Sequence, residues 1–142
     1  MATFAQFSQN IRKRGSQIEN AGTRFVKATA KRALKNLVSA TPVDTGKARS
    51  NWRVGIGAPT SAEVESYGSG AARNAAIDAG FARINSVRGV SGRGGGLKTA
   101  IYITNPLGYV GHLPNERGLN DGASRQAPAY FIEAALGEAV GA

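Results

Sequence analysis

The sequence contains no cysteine and a single histidine, His112, and each scarcity excludes a class of site. Without cysteine the chain has neither disulfides nor thiolate metal ligands, which suits a protein that folds in reducing cytoplasm. One histidine cannot build a multi-histidine metal site within a chain. No apolar run reaches membrane-spanning length, and the N-terminal residues lack the plan of a signal peptide. We therefore expect no metal, no cofactor and no membrane partner.

Catalytic signatures are also missing. The glycine-rich segment 89–96 lacks the Lys-Ser/Thr ending of a phosphate-binding loop and follows a predicted helix instead of a strand. The acids are scattered singly except Glu63 and Glu65, which alternate along one segment. A Ser-His-Asp arrangement through His112 would have to be assembled from distant positions and has no further support. The sequence predicts a protein that is not an enzyme.

Acidic residues are scarce in the first third of the chain, so the net charge of +9 is concentrated there. Residues 1–53 hold 11 Lys and Arg against two acids, whereas residues 54–142 hold seven of each sign. Concentrated charge of one sign marks a surface that meets something acidic.

Proline is absent from residues 4–39, where apolar spacing and the abundance of Ala, Lys, Arg and Gln predict one long helix. At about 100° per residue, Phe4, Phe7 and Ile11 fall on its apolar face. The opposite face carries the candidates for a surface that meets DNA or an acidic partner: Lys13, Arg24, Lys27, Lys31 and Lys35. Only Glu19 interrupts this basic stripe, whereas a solvated face usually mixes signs. A solvated face and a binding surface both remain open.

The length of this helix indicates a partner for its first part. About 36 residues span roughly 54 Å, whereas a compact domain of this size has a radius of gyration of about 14–15 Å. The helix must either project beyond its domain or break at Gly15 or Gly22. In both cases Phe4, Phe7 and Ile11 lack a surface of their own domain, so we expect them to contact a neighbouring subunit.

The rest of the chain predicts a small sheet and two shorter helices. Alternation predicts strands at 52–57 and 97–104 and a short edge strand at 63–65. A middle helix is expected at 71–87, and Pro128 occupies the first position of a last helix. The predicted fold class is α+β: a small antiparallel β-sheet packed against a long N-terminal α-helix, with a middle helix and a C-terminal helix.

These elements fit one domain, because 142 residues bury one core but are few for two. Two loops bury too little apolar surface to offset their ordering entropy and are predicted to be mobile. The predicted organisation is a single domain 1–142 with a long helix at about 4–39, sheet and loops at 40–127, a C-terminal helix at about 128–140, and mobile loops at 88–96 and 107–124.

Two stretches carry a family resemblance. Residues 40–52, ATPVDTGKARSNW, resemble the T-P-V-D-T-G-x-A-R-x-N-W signature of a phage neck and tail-completion family, whose members are head–tail joining, tail-completion or minor tail proteins of lambda-like long-tailed phages. Residues 118–132, GLNDGASRQAPAYFI, are similar to the family's later L-N-x-G-x-S-x-Q-A-P-x-x-F-[IV] pattern, and residues 109–113 resemble the approach to it. The chain departs from the family by an insertion at 114–117 and by the glycine content of 89–96.

Seven motif residues have an assignable structural role: Pro42, Asp44, Gly46, Arg49, Trp52, Gln126 and Pro128. Asp44 can cap a short helix at 47–51, and Gly46 supplies turn freedom. Arg49 is placed to reach a carboxylate or backbone carbonyls, and Trp52 is expected to be buried beneath the long helix.

Some motif residues have two open roles, in folding or in contact with a partner. This holds above all for Arg49, Arg125 and Gln126, of which Gln126 is expected to tie the last loop to the sheet. The candidate subunit interface comprises Phe4, Phe7, Ile11, Arg49 and Arg125.

The resemblance implies a virion structural protein that forms a homo-oligomeric ring in the neck, with six copies expected. The ring would complete the tail and join it to the DNA-filled head. The implied partners are the chain itself, neighbouring neck or connector proteins, and tail-tube or terminator proteins. The implied location is the virion, with the host cytoplasm during assembly, and the predicted mobile loops would become ordered on docking.

A rival interpretation is a basic accessory protein that binds DNA without sequence specificity. A stripe of basic residues along one helix can follow phosphates with salt-dependent affinity. The sequence offers no zinc-finger ligands, aromatic-rich strand motif or evident helix-turn-helix for reading bases. Contact with DNA would therefore be nonspecific.

Overall fold

A computed structural model describes residues 3–42, 46–68, 70–88, 100–108, 110 and 131–141 of the chain. Its elements in chain order are helix α1 (Phe4–Ala40), helix α2 (Lys47–Ser50), strand β1 (Arg53–Ile56), helix α3 (Ala72–Ser86), strand β2 (Ile101–Thr104) and helix α4 (Phe131–Gly141). The predicted α+β class is confirmed, because a small antiparallel sheet is combined with a long N-terminal helix, a middle helix and a C-terminal helix.

Helix α1 is unbroken over 37 residues, a length of about 55 Å. A capping box begins it: the Gln6 N–H donates to the Thr3 hydroxyl, and the Thr3 N–H donates to the Gln6 side chain. It ends at Thr41, whose extended backbone is the conformation that a following proline favours. Of the two alternatives raised by its length, projection is the observed one, and neither Gly15 nor Gly22 breaks the helix.

The first half of α1 stands clear of the rest of the fold. Within residues 3–22 every residue is exposed except the half-buried Ser8, whereas Leu34 and Val38 in the second half are fully buried. We call residues 3–22 the projecting half and the remaining described residues the body.

The sheet contains two strands among the described residues. Strands β1 and β2 pair antiparallel, with Arg53 opposite Thr104 and Ile56 opposite Ile101. Both strands are shorter than predicted, and residues 97–99 lie outside the described ranges.

The edge strand predicted at 63–65 is wrong, because this segment joins no ladder. Its backbone bonds to a side chain instead: Asn51 Nδ2 donates to Val64 O over 2.9 Å, and the Val64 N–H donates to Asn51 Oδ1 over 2.8 Å. Alternation in Glu63-Val64-Glu65 fits a strand, but an amide side chain already satisfies the backbone groups that a neighbouring strand would need.

The core lies between the second half of α1, helix α3, the sheet and α4. Its buried members include Leu34, Leu37, Val38, Trp52, Val54, Ala76, Ile84, Leu107, Val110 and Ala135. Helix α3 approaches α1 closely at Gly80, where an added Cβ would overlap Leu34 and would lie 3.1 Å from Val54 Cγ2. The absence of a side chain at Gly80 therefore sets the distance between the two helices.

The loop predicted to be mobile over 107–124 begins inside the core. Leu107 and Val110 are both buried, and the Val110 N–H donates to Leu107 O over 3.1 Å. Most of that loop, and all but Arg88 of the loop predicted at 88–96, lies outside the described residues. In the ranges described, no helix is both long enough and apolar enough to cross a membrane.

Candidate functional site

The motif at 40–52 forms a hydrogen-bonded node around Thr41, which is fully buried at the end of α1. The Thr41 hydroxyl donates to Leu37 O over 2.7 Å and accepts from Trp52 Nε1 over 2.7 Å. The Thr41 carbonyl accepts from Arg49 Nε over 3.0 Å. One threonine thus connects the end of α1 to α2 and to the start of β1. We call Leu37, Thr41, Arg49 and Trp52 the Thr41 node.

Arg49 holds the carbonyl end of α1. Besides its bond to Thr41, its Nη2 donates to Ser39 O over 3.4 Å. A cation is favourable there, because the last carbonyls of a helix lack intrahelical partners and carry partial negative charge. Burial lowers the pKa of Arg49 from its usual value, and the nearby charge of Arg73 lowers it further. Arg49 thus contacts backbone carbonyls, and its part in a subunit interface stays a prediction.

Trp52 and Gly46 both lie in the described part of the motif. Trp52 is buried in the core, and its indole N–H is satisfied by Thr41. Gly46 has a φ of 82°, and a Cβ there would lie 2.9 Å from Gly68 O, so both its conformation and its surroundings favour glycine. Pro42 directly follows Thr41 in the chain, whereas Asp44 lies outside the described residues.

Two polar motif residues hold the loop after β1, and the sequence analysis assigned them no role. The Ser50 hydroxyl donates to Gly46 O over 2.8 Å and accepts the Tyr67 N–H over 3.1 Å. Asn51 bonds to Val64, and its Nδ2 also donates to Lys47 O over 2.9 Å. The available signal was that Ser50 and Asn51 are short polar residues four positions after Gly46 and Lys47, where their side chains can reach back to a carbonyl.

The apolar face of the projecting half is uncovered within the described ranges. Phe4, Phe7, Ile11 and Ile18 are between 54 and 84% exposed, and we call these four the α1 stripe. An exposed row of large apolar side chains is typical of a surface that meets a partner. The structure therefore leaves the three predicted interface residues of α1 accessible, whereas Arg125 lies outside the described residues, as do Gln126 and Pro128.

The five basic residues predicted to face DNA or an acidic partner do not share one environment. Lys13, Arg24 and Lys35 are exposed. Lys27 Nζ donates to Asn85 O over 3.2 Å at the end of α3, and the Lys31 ammonium lies 5.4 Å from the centre of the Phe81 ring. Helix α3 thus packs on the side of α1 that carries Lys27 and Lys31, where a helix terminus and an aromatic ring both attract a cation.

The described residues offer little that resembles a catalytic centre. An open cavity of about 270 Å³ between β1 and α3 is lined by ten residues, none of which is a carboxylate or a histidine. The described ranges contain no cluster of three metal-ligating side chains. Every buried side-chain N or O atom among them has a hydrogen-bond partner. Among the described residues, the α1 stripe and the exposed basic residues are the surfaces that stand out.

The chain also matches a known protein family. Residues 5–116 match the family model described as "Bacteriophage HK97-gp10, putative tail-component", which covers about four fifths of the chain. The chain belongs to this family of bacteriophage tail components, and the resemblance drawn from residues 40–52 is confirmed. The motif at 118–132 lies beyond the matched range. Neither the search of curated proteins nor that of solved structures gives a match.

Proposed function

We propose that this phage tail component forms a homo-oligomeric ring of six copies in the neck of the virion, where it completes the tail and joins it to the DNA-filled head. The observation that carries the proposal is the α1 stripe, whose members are 54–84% exposed on a helix that leaves its own body. Burying such side chains is favourable by about 1.5–3 kcal/mol each. A subunit that meets identical neighbours satisfies this surface without another component.

The rest of the molecule suits a structural role. The body has its own core, and its buried polar side chains are satisfied within the described ranges. A folded subunit that keeps apolar surface exposed for a neighbour can accumulate in the host cytoplasm and then assemble in the virion. Neighbouring neck or connector proteins and tail-tube or terminator proteins would meet the completed ring.

The direct test is to inactivate the gene for this chain in its phage and add the purified protein to the resulting lysate. We expect DNA-filled heads and finished tails to accumulate unjoined, and the added protein to restore infectious particles. Native mass spectrometry of the purified protein, with and without tail components, should give a mass of six chains. A protein that is absent from mature particles and stays monomeric beside its tail partners would refute the proposal.

A second candidate function is nonspecific contact with DNA, which the exposure of Lys13, Arg24 and Lys35 favours. Each phosphate contact releases about one counterion on binding. Reversing these three charges to Glu should therefore lower the steepness of log binding constant against log salt concentration by about three. The control is Arg83→Glu with Arg88→Glu, which reverses exposed charges outside α1. If the wild-type protein shows no salt-dependent binding to duplex DNA, this function is excluded.

A further inference from the structure

An apolar groove lies between α1, β2 and α4. It encloses about 360 Å³, and its lining is mostly apolar: Phe25, Val26, Ala30, Ala33, Ile101, Ile103, Leu136, Ala139 and Val140. Phe25, Leu136 and Val140 remain 62, 43 and 70% exposed. No described residue covers these side chains fully, so the groove presents a second uncovered apolar surface in addition to the α1 stripe.

Polar contacts between α1 and α4 fix one wall of the groove. Arg32 Nε donates to Ala139 O, and Asn36 Nδ2 donates to Ala135 O, both over 3.2 Å. These bonds fix the wall formed by α4 against α1. A groove that is already formed in the free subunit binds a partner with a smaller loss of conformational entropy.

We propose that this groove receives the α1 stripe of a second copy of the chain. The inference rests on the proposed ring of identical subunits, and it adds which two surfaces meet. Phe4 and Ile11 are seven residues apart, or about 10 Å along a helix. Phe25 and Ala33, which lie at either end of the α1 wall of the groove, are about 12 Å apart by the same rise. The groove therefore matches about two turns of the stripe.

The α1 stripe cannot fill the groove of its own chain. The stripe and the groove wall belong to one continuous helix, and Phe25 continues the line of the stripe on the same side of α1. The stripe therefore points past its own body. Because donor and acceptor are different surfaces, each copy can donate to one neighbour and accept from another, and contacts of this type form a ring when the rotation between neighbours closes.

The charges beside the two surfaces are complementary. Arg12 and Arg14 flank Ile11 on the two sides of the stripe, and both are exposed. Helix α4 carries two exposed acids and no basic residue; Glu133 lies on the same side of the helix as Leu136 and Val140, whereas Glu138 lies on the opposite side. Neither acid forms an ion pair within the described residues. Opposite charges at the rim of an apolar contact favour one partner over others, which argues for a second copy of this chain.

Two variants separate the donor from the acceptor. The stripe variant carries Phe7→Asp and Ile11→Asp, and the groove variant carries Leu136→Asp and Val140→Asp. Each alone should associate at least about a hundredfold more weakly than wild type, because two buried apolar side chains are lost. Mixed in equal amounts they should form a heterodimer and nothing larger, since the stripe variant keeps an intact groove and the groove variant keeps an intact stripe.

Sedimentation and native mass spectrometry measure these species, and circular dichroism verifies folding. The matched control, Gln9→Asp with Gln17→Asp, adds the same charge away from the stripe and should assemble like wild type. If the groove variant assembles normally while the stripe variant does not, the groove is not the acceptor, although the ring proposal survives. If wild type fails to assemble even with its tail partners, both proposals fail.

A charge exchange covers the case in which the groove variant does not fold. Glu133→Lys changes only an exposed residue on the groove side of α4 and should weaken self-association by about tenfold. Mixing this protein with the Arg12→Glu, Arg14→Glu variant should restore a mixed complex in which lysine faces glutamate. Absence of that restoration would overturn the inference, as would a groove that binds another tail protein while self-assembly is unaffected.

Discussion

Removing the hydroxyl of Thr41 measures how much the node at the end of α1 contributes to stability. The substitution is Thr41→Val, which keeps the shape and the β-branch but removes the acceptor of the Trp52 indole N–H and the donor to Leu37 O. The comparison is Thr41→Ser, which keeps the hydroxyl and loses one methyl group. Thr41 is fully buried, so water does not replace the lost partner.

The expected magnitudes differ clearly. In Thr41→Val the buried indole N–H is left unsatisfied, which costs about 1–3 kcal/mol, and the lost bond to Leu37 O adds about 0.5–1.5 kcal/mol. Leu37 O keeps the Thr41 N–H as a donor, at 3.1 Å, which limits the second cost. Thr41→Ser loses about 0.8 kcal/mol for its methyl group. We therefore expect Thr41→Val to be less stable than Thr41→Ser by about 1–3 kcal/mol.

Urea unfolding measures this difference. Trp52 is the single tryptophan of the chain and lies in the node, so its fluorescence reports the local change while far-UV circular dichroism reports the helices. Equal slopes of the unfolding free energy against urea concentration would show that both variants expose the same area on unfolding. All measurements need one protein concentration, because self-association raises apparent stability. A Thr41→Val protein as stable as Thr41→Ser would refute the claim that the indole bond stabilises the fold.

Two further predictions concern the packing of α3 and the loop after β1. Gly80→Ala should lower the melting temperature, because overpacking against Leu34 costs about 1–3 kcal/mol and generally exceeds the gain of about 1 kcal/mol in helix propensity. The control Gly22→Ala has open space around its added methyl group and should not lower the melting temperature. A Gly80→Ala protein as stable as this control would contradict the close approach of α3 to Leu34 of α1. Asn51→Ala should speed amide hydrogen exchange at Val64, whose N–H loses its acceptor, and unchanged protection there would contradict the bond.

Local signals in the sequence were sufficient for the elements and their order. A proline-free apolar periodicity predicts a helix at about 4–39, close to the observed Phe4–Ala40, and the Thr41-Pro42 pair marks its end. The strand around Ile101 and the helix before Val87 follow from the same local rules. These predictions succeed because propensity and apolar spacing are properties of neighbouring residues.

Tertiary contacts were not predictable in the same way. A helical wheel places Lys27 and Lys31 opposite the apolar stripe, but it does not show that α3 packs on that side and engages both. The Thr41 node joins residues up to 15 positions apart, from Leu37 to Trp52, and they meet only because α2 and Trp52 lie against the end of α1. Sequence reasoning explains such motif residues only after the geometry is known.

The charges beside the stripe also bear on which wrong contacts the proposed assembly avoids. Two stripes that faced each other would bring two copies of Arg12 and Arg14 together, and like charges at close range oppose that pairing. A stripe that entered the groove would meet Glu133 instead. Apolar area alone does not distinguish these contacts, because both bury the same phenylalanines. In the proposed assembly these charges therefore affect which surfaces pair more than how tightly they pair.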